Sequence, residues 1–328
     1  MHPFSFVEAH TPEAAATALG RNRNAVFFAG GTTLIDLMKL DVMTPEVLVD
    51  VNQLPFNQIT ETQDGVLIGA NVRNSDLAHH ALIRERFPVL SEALLSGASA
   101  QLRNMASTAG NLLQRTRCGY FRDVNTRCNK RQPGSGCDAM TGVNRMHAVL
   151  GTSNACIATQ PSDMCVAMTA LEAVIHTQKA VGETRKIPIA EFYLLPGDTP
   201  ERETVLELGE LITGVEIPND PIARHSRYLK VRDRSSYEFA LASAAVALEL
   251  NVGIITRARV ALGGIATIPW RSRSSEAALQ GQPATTATFI KAADAALAGA
   301  VPREHNAFKI ELAKRTLVEA LEELTQQG

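Results

Sequence analysis

The sequence predicts an α+β protein built from two main parts. Strand-like and helical segments come in separate clusters along the chain, whereas a regular α/β fold would alternate strand and helix. A polar stretch with two prolines, Pro218-Asn219-Asp220-Pro221, interrupts these clusters and marks a boundary. With 328 residues, of which 45% are hydrophobic, the chain is long enough to form a core on each side of that boundary.

The segment up to about residue 55 reads as a small α/β unit. Thr11 is a good N-cap and Pro12 suits the first position of a helix. A short apolar strand at 25–28 leads into a segment with helical spacing at 34–40, and a second strand follows at 47–51.

The remainder alternates clusters of strands and helices. The sequence predicts strands near 66–70, 173–177, 211–217, 226–231 and 258–264, and helices within 74–98, from 163 to 171 and from 273 to the end. The segment 114–147 is different, because it is rich in Arg, Asn, Gly and Cys and poor in periodic apolar residues. We interpret it as an insertion whose order comes from something other than a hydrophobic core.

Charge and hydropathy exclude several classes of function. The net charge of −2 leaves no basic excess for binding nucleic acid or an anionic membrane. No apolar run approaches the roughly 20 residues that a membrane-spanning helix needs. The first residues, MHPFSFVEAH, have neither the basic start nor the apolar stretch of an export signal.

A strand-to-helix junction with two glycines is the first candidate binding element. In Phe28-Ala29-Gly30-Gly31-Thr32-Thr33-Leu34-Ile35 the glycines let backbone N–H groups approach a ligand, and the start of a helix adds further donors. This arrangement suits a pyrophosphate, although the spacing fits neither the Rossmann nor the P-loop motif. From these residues alone, a tight turn without a ligand is the preferred interpretation.

A second run of small and polar residues spans 97–111 and includes Arg103, Thr108, Gly110 and Asn111. Such a run lets the backbone approach a flat or phosphorylated ligand. The alternative is a packing seam of small residues.

Four of the five cysteines fall in one window, with the spacing C-x9-C-x8-C-x18-C: Cys118, Cys128, Cys137 and Cys156. The spacing has no C-x2-4-C knuckle of the kind that structural zinc usually uses. Separated thiolates on a loop suit an iron–sulfur cluster, and zinc, disulfides and free thiols remain alternatives. Cys165 lies in an apolar helical run and is predicted to be a buried small residue that binds no metal.

Five short motifs occur in order along the chain: Phe28-Ala29-Gly30-Gly31-Thr32; Gln101-Leu102-Arg103-Asn104 with Thr108-Ala109-Gly110-Asn111; Pro161-Ser162-Asp163-Met164; Tyr228-Leu229-Lys230-Val231-Arg232; and Val260-Ala261-Leu262-Gly263-Gly264. In this order they resemble the FAD-binding middle subunits of the molybdenum hydroxylases, the superfamily of xanthine dehydrogenase and carbon monoxide dehydrogenase. The resemblance covers nearly the whole chain. One departure is Ala109-Gly110, where the family usually has two glycines.

The resemblance implies a two-part FAD-binding domain of the PCMH type at 1–219, with subdomains 1–55 and 56–219, followed by a C-terminal α/β domain at 222–328. The residues implied to bind FAD are Phe28, Ala29, Gly30, Gly31, Thr32, Thr33, Leu34, Ile35, Arg103, Thr108, Gly110, Asn111, Asp163 and Lys230. Residues 29–35 would hold the pyrophosphate, Asp163 the ribityl or ribose hydroxyls, and Lys230 would lie near the flavin. The alternative for Lys230 is a surface cation on a strand.

The segment at about 112–158 resembles an inserted loop that binds a [4Fe–4S] cluster in the FAD-binding subunits of periplasmic aldehyde oxidoreductases. The resemblance therefore implies Cys118, Cys128, Cys137 and Cys156 as ligands of a [4Fe–4S] cluster. It also implies an electron-transfer subunit of a heterotrimer, with no catalytic residue that acts on an organic substrate. The implied partners are a large molybdopterin-binding subunit and a small subunit with [2Fe–2S] clusters.

Three further expectations complete the sequence-based interpretation. Because no export signal is seen, we expect the chain to reach the periplasm with a partner that bears a signal, and a cytoplasmic location is the alternative. One rival function is a stand-alone FAD oxidoreductase of the same fold, with zinc or disulfides at the cysteines. The other is a non-catalytic scaffold subunit that binds partners.

Overall fold

Residues 1–326 form three β-sheets, which divide the chain into an N-terminal unit, a middle unit and a C-terminal unit. The coordinates are a computed structural model. Positions 327 and 328, the last two of the predicted C-terminal domain, lie outside the described residues.

The N-terminal unit has a three-stranded parallel sheet with the order β1-β3-β2. Its elements are β1 (Ser5–Glu8), α1 (Pro12–Arg21), β2 (Ala25–Phe28), α2 (Leu34–Lys39) and β3 (Val47–Asp50). The Thr11 hydroxyl accepts a hydrogen bond from the Ala14 N–H at 3.1 Å, which confirms the predicted N-cap. Because the strands are parallel, their carboxyl ends share one edge, and the glycine junction after β2 lies at that edge.

The middle unit is built on a five-stranded antiparallel sheet with the order β4-β5-β8-β6-β7. The strands are β4 (Ile59–Glu61), β5 (Gly65–Gly69), β6 (Val174–Gln178), β7 (Thr184–Pro188) and β8 (Leu211–Pro218). Between β5 and β6 come α3 (Asn74–His79), α4 (Ala81–Arg86), α5 (Pro88–Ser96), α6 (Ala100–Met105), α7 (Thr108–Leu112), α8 (Gly119–Arg122), a short 3-10 helix (Asp138–Met140) and α9 (Asp163–Ala170); α10 (Ile189–Phe192) follows β7.

The C-terminal unit has a four-stranded antiparallel sheet with the order β12-β11-β10-β9, and its helices pack on this sheet. A 3-10 helix (Pro221–Arg224) leads into β9 (Ser226–Val231), β10 (Ala242–Asn251), β11 (Ile254–Gly263), β12 (Trp270–Arg271), α11 (Arg273–Leu279), α12 (Thr286–Leu297) and α13 (Phe308–Gln326). Val246, Leu262, Phe289 and Leu317 lie in its core. The predicted strands and the final helix are therefore present close to the expected bounds.

Helix α9 lies between the middle and C-terminal units. All eight of its residues are buried, because it packs against α5 on one side and against β10 and β11 on the other. The Ser162 hydroxyl accepts from the Cys165 N–H at 3.1 Å and caps the helix. This packing holds Asp163, the first residue of α9, at the boundary between the two units.

The insertion has a small apolar cluster of its own, which differs from the prediction that its order comes from something other than a hydrophobic core. Phe121, Ala139 and Ile157 pack there with the buried Cys118, Cys128 and Cys156. The sequence pattern missed this cluster because the thiols supply much of its apolar surface. No helix within residues 1–326 is long and apolar enough to cross a bilayer.

Candidate cofactor site

The two stretches that the sequence marks separately are in direct contact. A Cβ atom built on Gly30 would overlap the Met105 carbonyl oxygen, so no other side chain fits at this position while α6 keeps its place. Gly31 has φ +69°, a left-handed conformation that favours glycine. The glycines therefore serve both the tight turn after β2 and the close approach of the α6–α7 junction.

Hydrogen bonds from two polar side chains, Arg73 and Asn52, hold this contact together, and neither residue was identified from the sequence. Arg73 donates hydrogen bonds to the Met105 carbonyl at 2.6 Å and to the Asn52 side-chain oxygen at 2.9 Å. Asn52 in turn donates to the Ala29 carbonyl at 3.1 Å. Arg73 and Asn52 are single polar residues in connecting segments, and no local pattern indicates that they meet.

Two cavities lie on either side of the glycine junction. The glycine-loop cavity, of about 520 Å³, is lined by residues 29–34 together with apolar side chains such as Leu54 and Leu211. The interdomain cavity, of about 550 Å³, lies where the N-terminal unit, the middle unit and the C-terminal unit meet. Thr32, Thr33 and Gly110 line both cavities, so the two cavities adjoin at the glycine junction; together they are called the groove.

Most of the predicted FAD-binding residues line this groove. Those on the glycine-loop cavity are Ala29, Gly30, Gly31, Thr32, Thr33, Leu34 and Gly110, and those on the interdomain cavity are Thr32, Thr33, Arg103, Gly110, Asn111, Asp163 and Lys230. Within residues 1–326, Phe28, Ile35 and Thr108 do not line either cavity. Thr108 is fully buried and donates its hydroxyl to the Val72 carbonyl at 3.0 Å, so it supports the loop from behind.

Lys230 and Asp163 form a buried ion pair in the interdomain cavity. Their charged atoms are 2.8 Å apart, and the two side chains are 3% and 9% exposed. The alternative that Lys230 is a surface cation is therefore wrong. Tyr228 donates its phenol to the other Asp163 oxygen at 2.6 Å, and burial together with this carboxylate raises the pKa of Tyr228 well above its usual value.

The interdomain cavity has the chemistry that a long anionic cofactor requires. Arg103 Nε, Arg117 Nε and Asn74 Oδ1 are buried without a hydrogen-bond partner among residues 1–326, and all three residues line this cavity. Buried polar atoms of this kind are normally satisfied by a ligand or by water. Phe239 adds an aromatic surface to the same lining. The residues present therefore fit FAD, which combines a pyrophosphate with a flat ring system.

The insertion reaches the glycine junction through two arginines, Arg117 and Arg122. Arg122 donates to both Asp36 oxygens at 2.7 and 3.0 Å, and Arg117 donates to one of them at 3.2 Å. The hydrogen bond from Arg122 holds the pKa of Asp36 below its usual range. Arg117 also stacks over the Phe239 ring at 5.0 Å. Helix α2, the insertion and the C-terminal unit are thus joined at one point.

The four predicted ligand thiols line a single small cavity. Its lining includes Cys118, Cys128, Cys137 and Cys156, with Phe121. An isolated antiparallel bridge joins the backbones of Cys128 and Cys137. Burial raises the pKa of Cys118 to about 12 and also raises the pKa values of Cys137 and Cys156.

The surroundings of these thiols supply hydrogen bonds to sulfur. The Ala158 N–H donates to Cys156 Sγ at 3.4 Å, and His147 Nε2 lies 3.1 Å from Cys118 Sγ. Burial, with the nearby Lys309, lowers the pKa of His147 to about 4. Thiols grouped around one cavity are the ligand type that an iron–sulfur cluster uses, and a bound cation offsets the cost of burying thiolates. Among the described residues no group of three or more His, Cys, Asp or Glu side chains is recognised as able to hold a metal ion, so the [4Fe–4S] ligand set stays a prediction.

Cys165 stands apart from this group. It is fully buried in α9, its sulfur lies 2.9 Å from the Tyr193 hydroxyl, and burial raises its pKa to about 11. It does not line the cavity that the other four thiols share.

Comparison with known proteins identifies the family. Residues 2–220 match the model of the FAD binding domain in molybdopterin dehydrogenase, and residues 227–324 match the CO dehydrogenase flavoprotein C-terminal domain. The chain is 51% identical to the aldehyde oxidoreductase FAD-binding subunit PaoB of Escherichia coli, over 100% of both chains. It is 28% identical to the glyceraldehyde dehydrogenase medium chain of Sulfolobus acidocaldarius, over 84% of this chain and 81% of that one.

Solved structures agree with this assignment. A chain in the structure of carbon monoxide dehydrogenase from Hydrogenophaga pseudoflava superimposes with a TM-score of 0.77 at 25% identity, covering 99% of this chain and 98% of that chain. These matches confirm the predicted fold class and the resemblance on which the cofactor predictions depend. The chain belongs to the FAD-binding medium subunits of the molybdenum hydroxylase family of oxidoreductases.

Proposed function

We propose that the chain is the FAD- and [4Fe–4S]-carrying electron-transfer subunit of a heterotrimeric molybdenum-dependent aldehyde oxidoreductase. The observation that supports this most strongly is the group of four thiols around one cavity, in a segment that Arg122 and Asp36 join to the glycine junction. The full-length similarity to an aldehyde oxidoreductase FAD-binding subunit supports the aldehyde as the substrate class.

The groove is proposed to hold FAD through the residues that line it. Backbone N–H groups of residues 29–34 bind the pyrophosphate, because the start of α2 leaves such groups without acceptors inside the helix. Asp163 accepts hydrogen bonds from cofactor hydroxyls, and Lys230 orients the Asp163 carboxylate through their ion pair. When bound, FAD accepts electrons in pairs and releases them singly or in pairs.

The thiols of Cys118, Cys128, Cys137 and Cys156 are proposed to bind the [4Fe–4S] cluster, which supplies one-electron transfer. Lys130 places positive charge beside them, because it lines the thiol cavity. It pairs with Glu203 at 2.8 Å, and Arg115 pairs with the same carboxylate. The surrounding cations and the N–H donors to sulfur offset the negative charge of a thiolate-bound cluster.

The substrate chemistry is proposed to take place on a partner. A large molybdopterin subunit converts an aldehyde and water to a carboxylic acid, releasing two electrons and two protons. A small subunit with [2Fe–2S] clusters passes the electrons to this chain, which delivers them to a terminal acceptor. This chain contributes the binding of its cofactors and the control of their potentials.

Cofactor content tests the proposal. The purified protein is expected to contain FAD, iron and acid-labile sulfide, and Cys128→Ser is expected to lose the iron and keep the FAD. Cys165→Ser is the matched control, because Cys165 is also buried but lies outside the thiol cavity, and it should keep both cofactors. Zinc in place of iron would support the stand-alone flavin oxidoreductase, and a protein without flavin would support the scaffold.

For the location we propose the periplasm, reached by export together with a signal-bearing partner. Fractionation of cells that express all three subunits tests this. A chain that stays in the cytoplasm when the partners are exported would contradict it.

A further inference from the structure

A buried histidine from the insertion contacts one of the thiols. His147 is 5% exposed, and its Nε2 lies 3.1 Å from Cys118 Sγ. The Tyr120 ring packs beside the imidazole, with 6.2 Å between ring centroids. The imidazole therefore has little freedom to leave the sulfur.

The C-terminal unit fixes the backbone of this histidine from a distant part of the sequence. Lys309 Nζ donates to the His147 carbonyl at 3.2 Å and to the Gly264 carbonyl at 2.5 Å. Asn306 Nδ2 donates to the His147 carbonyl at 3.3 Å. Lys309 and Asn306 are both fully buried. The position of the imidazole is thus set by α13 and the residues before it.

His147 also belongs to the lining of a third cavity, here called the connecting cavity, of about 180 Å³. This cavity is lined both by Cys118 of the thiol cavity and by Asp163 of the interdomain cavity. Four of its lining residues each have a buried polar atom without a partner among residues 1–326: His147 Nδ1, Arg117 Nε, Gln160 Nε2 and Ser243 Oγ.

A neutral imidazole has one donor nitrogen and one acceptor nitrogen. A thiolate that binds a cluster has no hydrogen to donate, so at 3.1 Å from the Cys118 sulfur Nε2 is the nitrogen that carries the hydrogen. The geometry thus favours the tautomer that donates to sulfur.

We propose that His147 is a positioning residue of the iron–sulfur site, which donates a hydrogen bond to the Cys118 sulfur and raises the reduction potential of the cluster. The reduced cluster has more negative charge on its sulfur atoms, so a donor stabilises the reduced state more than the oxidised one. This role rests on the proposed function, because it requires a cluster at the four thiols.

The test is a redox titration of the purified, cofactor-loaded protein, followed by the electron paramagnetic resonance signal of the reduced cluster. His147→Leu removes the donor and is expected to shift the midpoint potential to a more negative value at unchanged iron content. His147→Gln retains an N–H donor and is expected to restore part or all of the shift. His225→Leu is the control, because His225 is a partly buried histidine whose nitrogens contact the Leu248 and Leu324 carbonyls instead of a thiol.

The outcomes separate this role from the proposed function. A wild-type protein without iron and sulfide overturns the proposed function itself. Iron-loaded His147→Leu and His147→Gln proteins with the wild-type potential and signal overturn only the role of His147. If the His147→Leu protein loses the cluster, the His147→Gln protein decides between the two explanations. A wild-type cluster potential in His147→Gln supports the hydrogen bond. Loss of the cluster in His147→Gln as well overturns the hydrogen-bond role, because His147 would then serve packing alone.

Discussion

Arg122 donates to both carboxylate oxygens of Asp36, at 2.7 and 3.0 Å, across 86 residues of sequence. Asp36 lies in α2, directly after the glycine junction, and Arg122 ends α8 in the insertion. One bidentate ion pair thus connects the predicted FAD-binding turn with the predicted cluster-binding segment. Loss of this ion pair should therefore loosen the FAD-binding turn.

Asp36→Asn tests this connection. An amide keeps the size of the side chain but loses the charge, so we expect the free energy of unfolding to fall by about 1 kcal/mol, the scale of a partly exposed ion-pair network. We also expect FAD to be lost more readily on dialysis, measured by flavin absorbance per protein. Asp76→Asn is the control, because Asp76 is exposed in the first turn of α3. Equal flavin retention in the two variants would contradict the connection.

Gly30→Ala should abolish or strongly weaken FAD binding. The added methyl group would overlap the Met105 carbonyl oxygen, so either the glycine junction or the α6–α7 junction has to move. Gly20→Ala is the matched change, because a Cβ at Gly20 meets no atom within 4 Å. Gly20 lies within α1, so alanine there should stabilise the protein by about 0.5–1 kcal/mol. Flavin content measures the effect on FAD binding, and thermal unfolding measures the effect on stability. Normal flavin content in Gly30→Ala would refute the predicted loss of FAD binding.

Lys230→Met should lower the free energy of unfolding by about 3 kcal/mol, because it leaves the buried Asp163 carboxylate without its cation. The double variant Lys230→Met with Asp163→Asn removes the unpaired charge and should recover part of the loss. Urea denaturation of the FAD-free proteins measures the change apart from any cofactor effect. A double variant no more stable than Lys230→Met would show that charge pairing is not the cause.

Lys309 should make stability depend on pH in the alkaline range. Burial, with the nearby Arg145, lowers its pKa to about 7, and its Nζ donates to the backbone carbonyls of Met146, His147 and Gly264. The unfolded chain then binds more protons than the folded one between about pH 7 and the ordinary lysine pKa of about 10.4. Stability therefore rises with pH through that window, by up to about 1.4 kcal/mol per pH unit.

The wild-type protein is compared with Lys309→Met, which keeps an apolar side chain of similar length and removes the titrating amine. We expect the alkaline rise in the free energy of unfolding to be present in the wild type and missing in the variant, as measured by denaturant unfolding at several pH values. If the free energy of unfolding changes with pH in the same way in both proteins, the lowered pKa of Lys309 is contradicted.

Much of the fold could be predicted because local patterns and tertiary packing agree. The N-cap at Thr11, the strand before Gly30 and the long C-terminal helix are all in place, since each depends mainly on local spacing. The small core of the insertion was not predicted, because thiols do not register as part of a periodic apolar pattern. Arg73 and Asn52 were missed for a related reason: each acts through a contact about 20 or more residues away.

The sequence by itself determined which residue types are available: two glycines at a strand-to-helix turn, an Asp at the start of a helix, and four thiols in one segment. It also separated Cys165 from those four thiols. Their ordered motifs also determined the family. Only the tertiary structure decided that Gly30 lies against Met105, that Lys230 is buried on Asp163, and that His147 is held against Cys118 by Lys309. The physical reason is that these contacts join residues far apart in the sequence, so they depend on how sheets, helices and the insertion pack and not on any local spacing.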